Sequence, residues 1–479
     1  MSLWGKDLDR KSLSSLEGKK CVDTLIIGGG IAGMTTLYYL KEYSDVCLVD
    51  ASLVGEGVTK NTTGKLTFLQ NTIYSDLICN MNYDTAVSYL KSQKLAINLA
   101  KEMIEEENIH CYLEKVKSFV FTNKESEIKK LEQEKEFLES QGIKVEKDHF
   151  PFSIPYLSSI SVSDTYVFHP ILYMNHLKKI LKDKIYEYTK ITKIKRKNGK
   201  YICYGNNLEI TATKVIVAFH YPFFFFPFCL PLKSHIEKSY IVARKVEKNP
   251  KVSAINVTNP SISVRFYEDE RGIYEICLSS SHKTSKNQDD CKNFKNVKRI
   301  FTIKEEDKVS MWSNVDIMTD DKLPYIGKVK KNLYVATGFN TWGMTNGILS
   351  GFLLSHAIKG EKMPFEDLFL VKRSNFYQVK NFFPNFIGSA VSFIGSKKRE
   401  KKWYKENLQF TKKNGKSIAI YNDKNGKKHI VYTTCPHMGC SLLFNEQELT
   451  WDCPCHSSRF TIDGECIKGP STKDIKYRE

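Results

Sequence analysis

The chain has 479 residues, more than one ordinary domain holds, so two or three domains are expected. Hydrophobic residues make up 41% and charged residues 26%, a globular balance with a sizeable core and no need of disulfides merely to fold. The net charge of +18 rests on 62 lysines and only 10 arginines, spread along the chain; this reads as a lysine-biased, solvated surface, with docking of an acidic protein partner as the alternative, and without the arginine forks that read bases and phosphates nucleic acid is not expected.

The opening MSLWGKDLDRKSLSSLEGKK has no apolar segment and no twin arginine, so no export signal is expected. No run approaches the roughly 18 apolar residues of a membrane span, and a cytoplasmic protein without a membrane partner is anticipated. The most apolar run, YPFFFFPFCLPL (Tyr221 to Leu232), carries three prolines and reads as a buried loop or an interface.

Asp23 to Ser52 reads as strand, turn, helix, strand. An apolar run from Thr24 to Ile27 meets Gly28, Gly30 and Gly33 in G-x-G-x-x-G spacing, with Ile31 and Ala32 opening a helix that runs to about Tyr43. A second strand, Val46 to Val49, ends at Asp50, 17 positions after the last glycine. In that context the motif is strong evidence of a dinucleotide site, with a bare glycine turn as the alternative. Gly28 permits the tight turn, Gly30 lets backbone approach a pyrophosphate, Gly33 allows close helix–strand packing, and Asp50 accepts from ribose hydroxyls. The motif alone does not separate NAD from FAD. Later segments do: VGEGVTKNTTGKLT follows Asp50, and LYVATGFNTWGMTNGILSGFLLSHAI (Leu333 to Ile358) is a returning strand, glycine turn and helix.

TKNTTGKLT, FHPILYMNHL, KVIVAFHYPF, SVRFYED and TGFNTWGM together resemble FAD-dependent oxidoreductases of the D-amino-acid oxidase and glycine oxidase type, over about Thr24 to Lys359. The resemblance implies an α/β fold in which a Rossmann-like FAD-binding domain is interleaved with an antiparallel-sheet substrate domain. It implies FAD contacts from Gly28, Gly30, Ile31, Ala32, Gly33 and Asp50, from Thr62, Thr63 and Lys65, from Ala218, and from Gly338, Asn340, Gly343 and Met344. Two departures stand out: Asp50 where the family more often has Glu, and Ser279-Ser280-Ser281 where glycines are expected. Catalytic residues are poorly specified. Arg265 is a candidate for a substrate carboxylate or for a structural ion pair. His220 and Tyr221 are candidates for lining the flavin, with a buried, satisfied histidine as the alternative.

Asp84 to Glu107 and Ser126 to Gly142 are helical by period, and Ile236 to Ile303 alternates like antiparallel strands. Phe365 to Tyr404 reads as a helical connector ending in basic residues.

The last stretch holds five of the 13 cysteines. Cys435-x-His437, fifteen residues, then Cys453-x-x-His456 gives one cysteine and one histidine per half. A C-x-H pair in one tight loop does not suit tetrahedral zinc. It suits a binuclear cluster with two thiolates on one iron and two imidazoles on the other. The string resembles Rieske [2Fe–2S] proteins. That resemblance implies a Cys440–Cys455 disulfide across the two loops, unusual in a reducing compartment, and makes Gly469 to Thr472 the proline loop over the cluster. Ser458 stands where a hydroxyl commonly bonds a bridging sulfur, Phe460 where high-potential members often have tyrosine, and Ser457 where glycine is usual. A potential in the middle of the roughly −150 to +300 mV range is expected. Cys466 has no assigned partner and reads as a buried thiol.

The expected layout is residues 20–364 for the flavin and substrate parts, 365–404 for the connector and 405–479 for a small all-β Rieske domain. A two-electron flavin and a one-electron cluster on one chain make an electron converter. A small amine or amino acid would be oxidised and the electrons passed singly to an external carrier protein, possibly acidic. The alternatives are inward flow from a reduced carrier, for reduction or oxygenation, and a non-catalytic redox sensor.

Overall fold

The computed structural model describes residues 2–43, 45–147, 149–221, 233–258, 261–284, 289–373 and 407–477. The apolar run at Tyr221 to Leu232 falls outside them except for Tyr221, as does the connector beyond residue 373.

Two eight-stranded sheets carry the first three-quarters of the chain. The first is built on strand β1 (Gly18–Ile27), helix α1 (Ile31–Leu40) and strand β2 (Val46–Val49). β1 pairs in parallel with β2 on one side and with Leu208–Val217 on the other. β1 begins at Gly18, well before the apolar run that announced it, because Gly18 to Cys21 are held by backbone pairing to Leu208 to Thr211 rather than by a buried face. Leu333–Thr337 extends the sheet in parallel beside Leu208–Val217, and Tyr325–Lys330 closes that edge antiparallel. Helix Gly343–Lys359 lies on α1 at very close range: a Cβ on Gly351 would sit 2.6 Å from Thr35 Cβ. The glycines of the late segment therefore serve helix–helix packing as well as the turn.

The second sheet runs, in order, Lys308–Thr319, Ser234–Val246, Gly272–Lys283, Ser263–Asp269, Val252–Asn256, Glu114–Thr122, Ser158–Val167 and Lys65–Leu66. It is antiparallel except where Val252–Asn256 meets Glu114–Thr122 in parallel. The alternating stretch expected to reach Ile303 ends instead in a helix, Asp290–Ile300, whose Phe294 and Val297 pack into the sheet's core. Ser280 has φ +59 at the irregularity where the register slips between Lys238 and Tyr240. A serine thus occupies the left-handed geometry for which a glycine was expected.

The C-terminal part is two small antiparallel sheets, Leu408–Lys413 to Lys428–Tyr432 and Leu443–Asn445 to Cys466–Lys468. They share a core of Trp451, Phe460, Tyr421 and Val431. Among the described residues no helix is long and apolar enough to cross a membrane.

Candidate functional site

Strand β1, its turn and α1 build one end of a cavity of about 470 Å³. Gly28, Gly30, Ile31 and Ala32 line it. Gly33 lies beneath, where a Cβ would fall on the Gly28 carbonyl oxygen, so this position holds helix against strand. The α1 N-terminus opens at the cavity, with Ile31 N–H donating to Thr59 Oγ1 at 3.1 Å. Asp50, at the end of β2, lines the same end. Its carboxylate accepts from Gly29 N–H at 2.5 Å and Ser52 N–H at 2.7 Å. Burial pushes it up to about 6 against the pull of those bonds.

Along the cavity come Thr62, Thr63 and Lys65. The buried Lys65 ammonium donates to Ala254 O at 2.9 Å and Ser263 Oγ at 2.7 Å, and burial lowers it to about 7. Ala218 enters from the end of Leu208–Val217; Gly338, Asn340, Gly343 and Met344 come from the late turn. Asn340 takes φ +52, which asparagine tolerates, and accepts from Thr319 N–H at 2.7 Å, tying that turn to the second sheet. The N-terminus of Gly343–Lys359 is the second helix end facing the cavity.

Arg265 does not line this cavity, so the carboxylate-anchor candidacy is corrected. Its side chain is fully buried, with Nη1 donating to Gly64 O at 2.6 Å and Phe168 O at 3.3 Å. The guanidinium lies over the rings of Trp4 and Tyr267, at 5.4 and 5.7 Å, and among the described residues it makes no ion pair, unlike the structural ion pair of the other reading. Trp4, which sequence reading missed, belongs to the short turn Leu3–Lys6 and donates to Thr62 O at 2.7 Å. Arginine and tryptophan together fix the 62–64 loop from behind. His220 and Tyr221 do line the cavity. Burial, then the charge of Lys468, hold His220 well below its ordinary range, and its Nε2 has no partner among the described residues.

In the C-terminal part, two loops present the four candidate ligands together. Cys435 and Cys453 are buried and their thiols hydrogen-bond each other. The rings of His437 and His456 meet edge-on at 4.9 Å between centroids, and neither Nδ1 has a hydrogen-bond partner among the described residues. Burial pushes His456 down to about 4, which keeps it neutral, as a metal ligand must be. Cys440 and Cys455 form a disulfide, with S–S 2.02 Å, whose sulfurs lie within 4.8 Å of Cys453 Sγ. Ser458 is buried; its hydroxyl meets Cys435 and accepts Ser471 N–H at 2.9 Å. Cys466 is half-buried rather than buried, its thiol donating to Ser471 O at 3.1 Å.

Residues 23–357 match the family described as FAD dependent oxidoreductase, and residues 397–478 match the Rieske [2Fe-2S] domain. The chain belongs to the FAD dependent oxidoreductase family and carries a Rieske domain. The Rieske 2Fe-2S iron-sulfur protein YhfW of Bacillus subtilis (strain 168) is 29% identical over 496 residues, covering 99% of this chain and 96% of that protein. Glycine oxidase from Geobacillus kaustophilus superposes with a TM-score of 0.62 at 16% identity, over 74% of this chain and 99% of that one. L-proline dehydrogenase from P. horikoshii gives 0.61 at 16%, over 75% and 98%.

The oxidoreductase fits both cofactors on its own geometry. Two helix N-termini and a backbone stripped of Cβ atoms suit a pyrophosphate, and a Cβ on Gly30 would intrude to within 3.3 Å of Thr59 Oγ1. The two orphaned imidazole nitrogens beside two thiols are the donor set of a Rieske cluster.

The two sites share a wall. Ile467, Lys468, Gly469, Ser471 and Thr472 of the Rieske domain line the flavin cavity, and the His456 ring lies 5.7 Å from that of Tyr221. A charged seam holds the domains together. Lys238 donates to Asp290 and Asp452, each at 2.9 Å. Arg459 donates to Ser313 Oγ at 2.9 Å and to both Asp452 and Glu448, and Ser313 Oγ donates to Glu448.

Proposed function

We propose that the oxidoreductase oxidises a small amine or amino acid at its FAD site and delivers the electrons singly through the Rieske centre to an external carrier. The shared wall is the observation that carries this reading: a Rieske ligand, His456, touches a residue of the flavin cavity, Tyr221. Bound FAD accepts two electrons as hydride, whereas a Rieske cluster takes one at a time.

The chain's own residues do the rest. The α1 N-terminus, Gly28 and Gly30 receive the pyrophosphate, and Asp50 turns from Gly29 N–H to the ribose. Arg265 and Trp4 hold the 62–64 loop in place. His220, kept neutral at physiological pH, and Tyr221 close the cavity toward the Rieske domain and exclude water. Met344 and Asn340 form the opposite margin. The solved relatives whose names specify glycine and proline support an amino-acid or amine substrate. The excess of lysine supports an acidic carrier. The working division of the chain is 20–364, 365–404 and 405–479.

The test is an anaerobic titration of purified holoenzyme with amines and amino acids, following flavin absorbance and the electron paramagnetic resonance of the cluster. A substrate that bleaches the flavin and then brings up a Rieske signal supports the proposal. A cluster that is reduced only by dithionite or a reduced carrier, and then passes electrons to the flavin, overturns the direction.

A further inference from the structure

With Arg265 turned away, the cavity needs another group to receive a substrate's charge. Five lysines line it: Lys65, Lys130, Lys190, Lys322 and Lys468. Lys65 is bonded to Ala254 and Ser263, and Lys130 and Lys322 both pair with Asp76. Lys190 stands beside Thr189 and Ile191 at the β2 end, with Asp50. Lys468 is different. It is the last residue of the Rieske strand Cys466–Lys468, immediately before the proline loop. Among the described residues it has neither an ion pair nor a hydrogen bond from its ammonium. Asp316, on Lys308–Thr319, lines the same cavity and feels the charge of Lys468; its only described side-chain bond is a long one from Asn314, at 3.4 Å.

We propose that Lys468 and Asp316 form a clamp for a zwitterion, with the Lys468 ammonium taking the carboxylate of an amino acid and Asp316 its ammonium. This rests on the amino-acid branch of the function proposed above. It makes the Rieske domain part of the substrate site, so that the substrate is recognised only when the cluster is docked beside the flavin.

The electrostatics agree with the geometry. Burial lowers Lys468 to about 7 and raises Asp316 to about 6. Each feels the other's charge, but not enough to offset its own desolvation. Two opposite, half-buried charges that line one cavity without pairing are each left short of a partner. A zwitterion placed between them gives each its counter-charge, and neither charge of the ligand is left bare.

The probe is benzoate, a carboxylate that needs no turnover, added to holoenzyme while the flavin spectrum is followed for binding. Lys468→Gln should weaken benzoate at least tenfold, Lys468→Arg should retain most of the affinity, and Asp316→Asn should leave it equal or tighter. In the parent protein benzoate affinity should hold below pH 7 and fall by up to about tenfold per pH unit above it, as Lys468 loses its proton. The other groups facing Lys468 do not produce that slope. Asp316 titrates near 6, burial keeps His220 neutral, and Arg459, Asp452 and Glu448 are held charged by one another. Unchanged affinity in Lys468→Gln, or a flat profile above pH 7 in the parent protein, overturns the clamp. If Lys468→Gln fails to retain cofactors, the parent profile still decides.

A second readout compares glycine with methylamine and L-proline with pyrrolidine. Lys468→Gln should raise KM for the amino acids and leave the amines unchanged, while Asp316→Asn should raise both. If none of the four bleaches the parent flavin, the oxidation reading fails for these substrates, and the benzoate result still stands or falls by itself.

Discussion

At the scale of single residues, the chain hides some of its most constrained positions in plain side chains. Arg265 fully buries a guanidinium to hold two backbone carbonyls, those of Gly64 and Phe168. Arg265→Ala leaves the Phe168 carbonyl without a described donor and the Gly64 carbonyl with Phe168 N–H alone, at about 1–3 kcal/mol for the unpaired acceptor. It is expected to release FAD on dialysis while leaving KM for substrate unchanged in the fraction that keeps it; retained flavin content with a raised KM would return Arg265 to the substrate site. Ser457 sits at φ +59 with its hydroxyl buried and unpartnered among the described residues. Ser457→Gly should therefore raise the stability of the Rieske domain by about 1–2 kcal/mol, read as a higher thermal midpoint with the cluster spectrum unchanged. The sequence already flagged this position, since glycine is usual there, and the positive φ supplies the reason. The four metal-ligand candidates were legible because cysteine and histidine recur at short, fixed spacings. The Arg265 and Trp4 arrangement was not. Its partners are far apart in sequence, Arg265 to Gly64 being 201 residues, and neither residue belongs to a local pattern.

At the scale of elements, the β1–α1–β2 unit was readable because its glycines, apolar run and acid lie in consecutive order. Its true start was not, because Gly18 to Cys21 are held by pairing to the neighbouring strand rather than by burial. The terminal helix of the 236–303 stretch was misread as strand because Phe294 and Val297 supply too few apolar positions to mark a helical period against a charged background. The late helix carries a stricter constraint than its composition suggested. A side chain at Gly351 meets Thr35 across the α1 contact. Gly351→Leu should cost about 2–3 kcal/mol by overpacking, lowering the thermal midpoint of the flavin part and loosening the Gly343 turn that faces the cofactor. An unshifted midpoint would mean the two helices can move apart freely.

At the scale of the molecule, the seam between domains was invisible in the sequence. Lys238 and Asp452 are 214 residues apart, and in a lysine-rich chain neither stands out. Burial alone would raise the carboxyls of Asp452 and Glu448, but Arg459 and Lys238 hold both below the usual range. Arg459 lies in the same domain as both carboxylates and stays with them on undocking, so only the share of the lowering due to Lys238 stabilises the docked state; it is present above the ordinary carboxylate range and lost as pH falls through the lowered values. The domains should stay docked through neutral pH and separate only below about pH 4, where carboxylates take up protons. Lys238→Ala removes the cation from two half-buried carboxylates, of which Asp452 keeps Arg459, a loss of about 1–3 kcal/mol. Stopped-flow reduction should then show slowed flavin-to-cluster transfer with both cofactors retained; undiminished transfer would mean the seam does not hold the electron path.

Ile467, Lys468, Gly469, Ser471 and Thr472 belong to the Rieske domain and yet form a wall of the flavin cavity. A flavoprotein cut free at the connector would therefore stand with its reaction chamber open on one side. Dioxygen and bulk water would then have a path to the cofactor that the whole chain closes. On that side it is the iron–sulfur domain that closes the flavin site to oxygen.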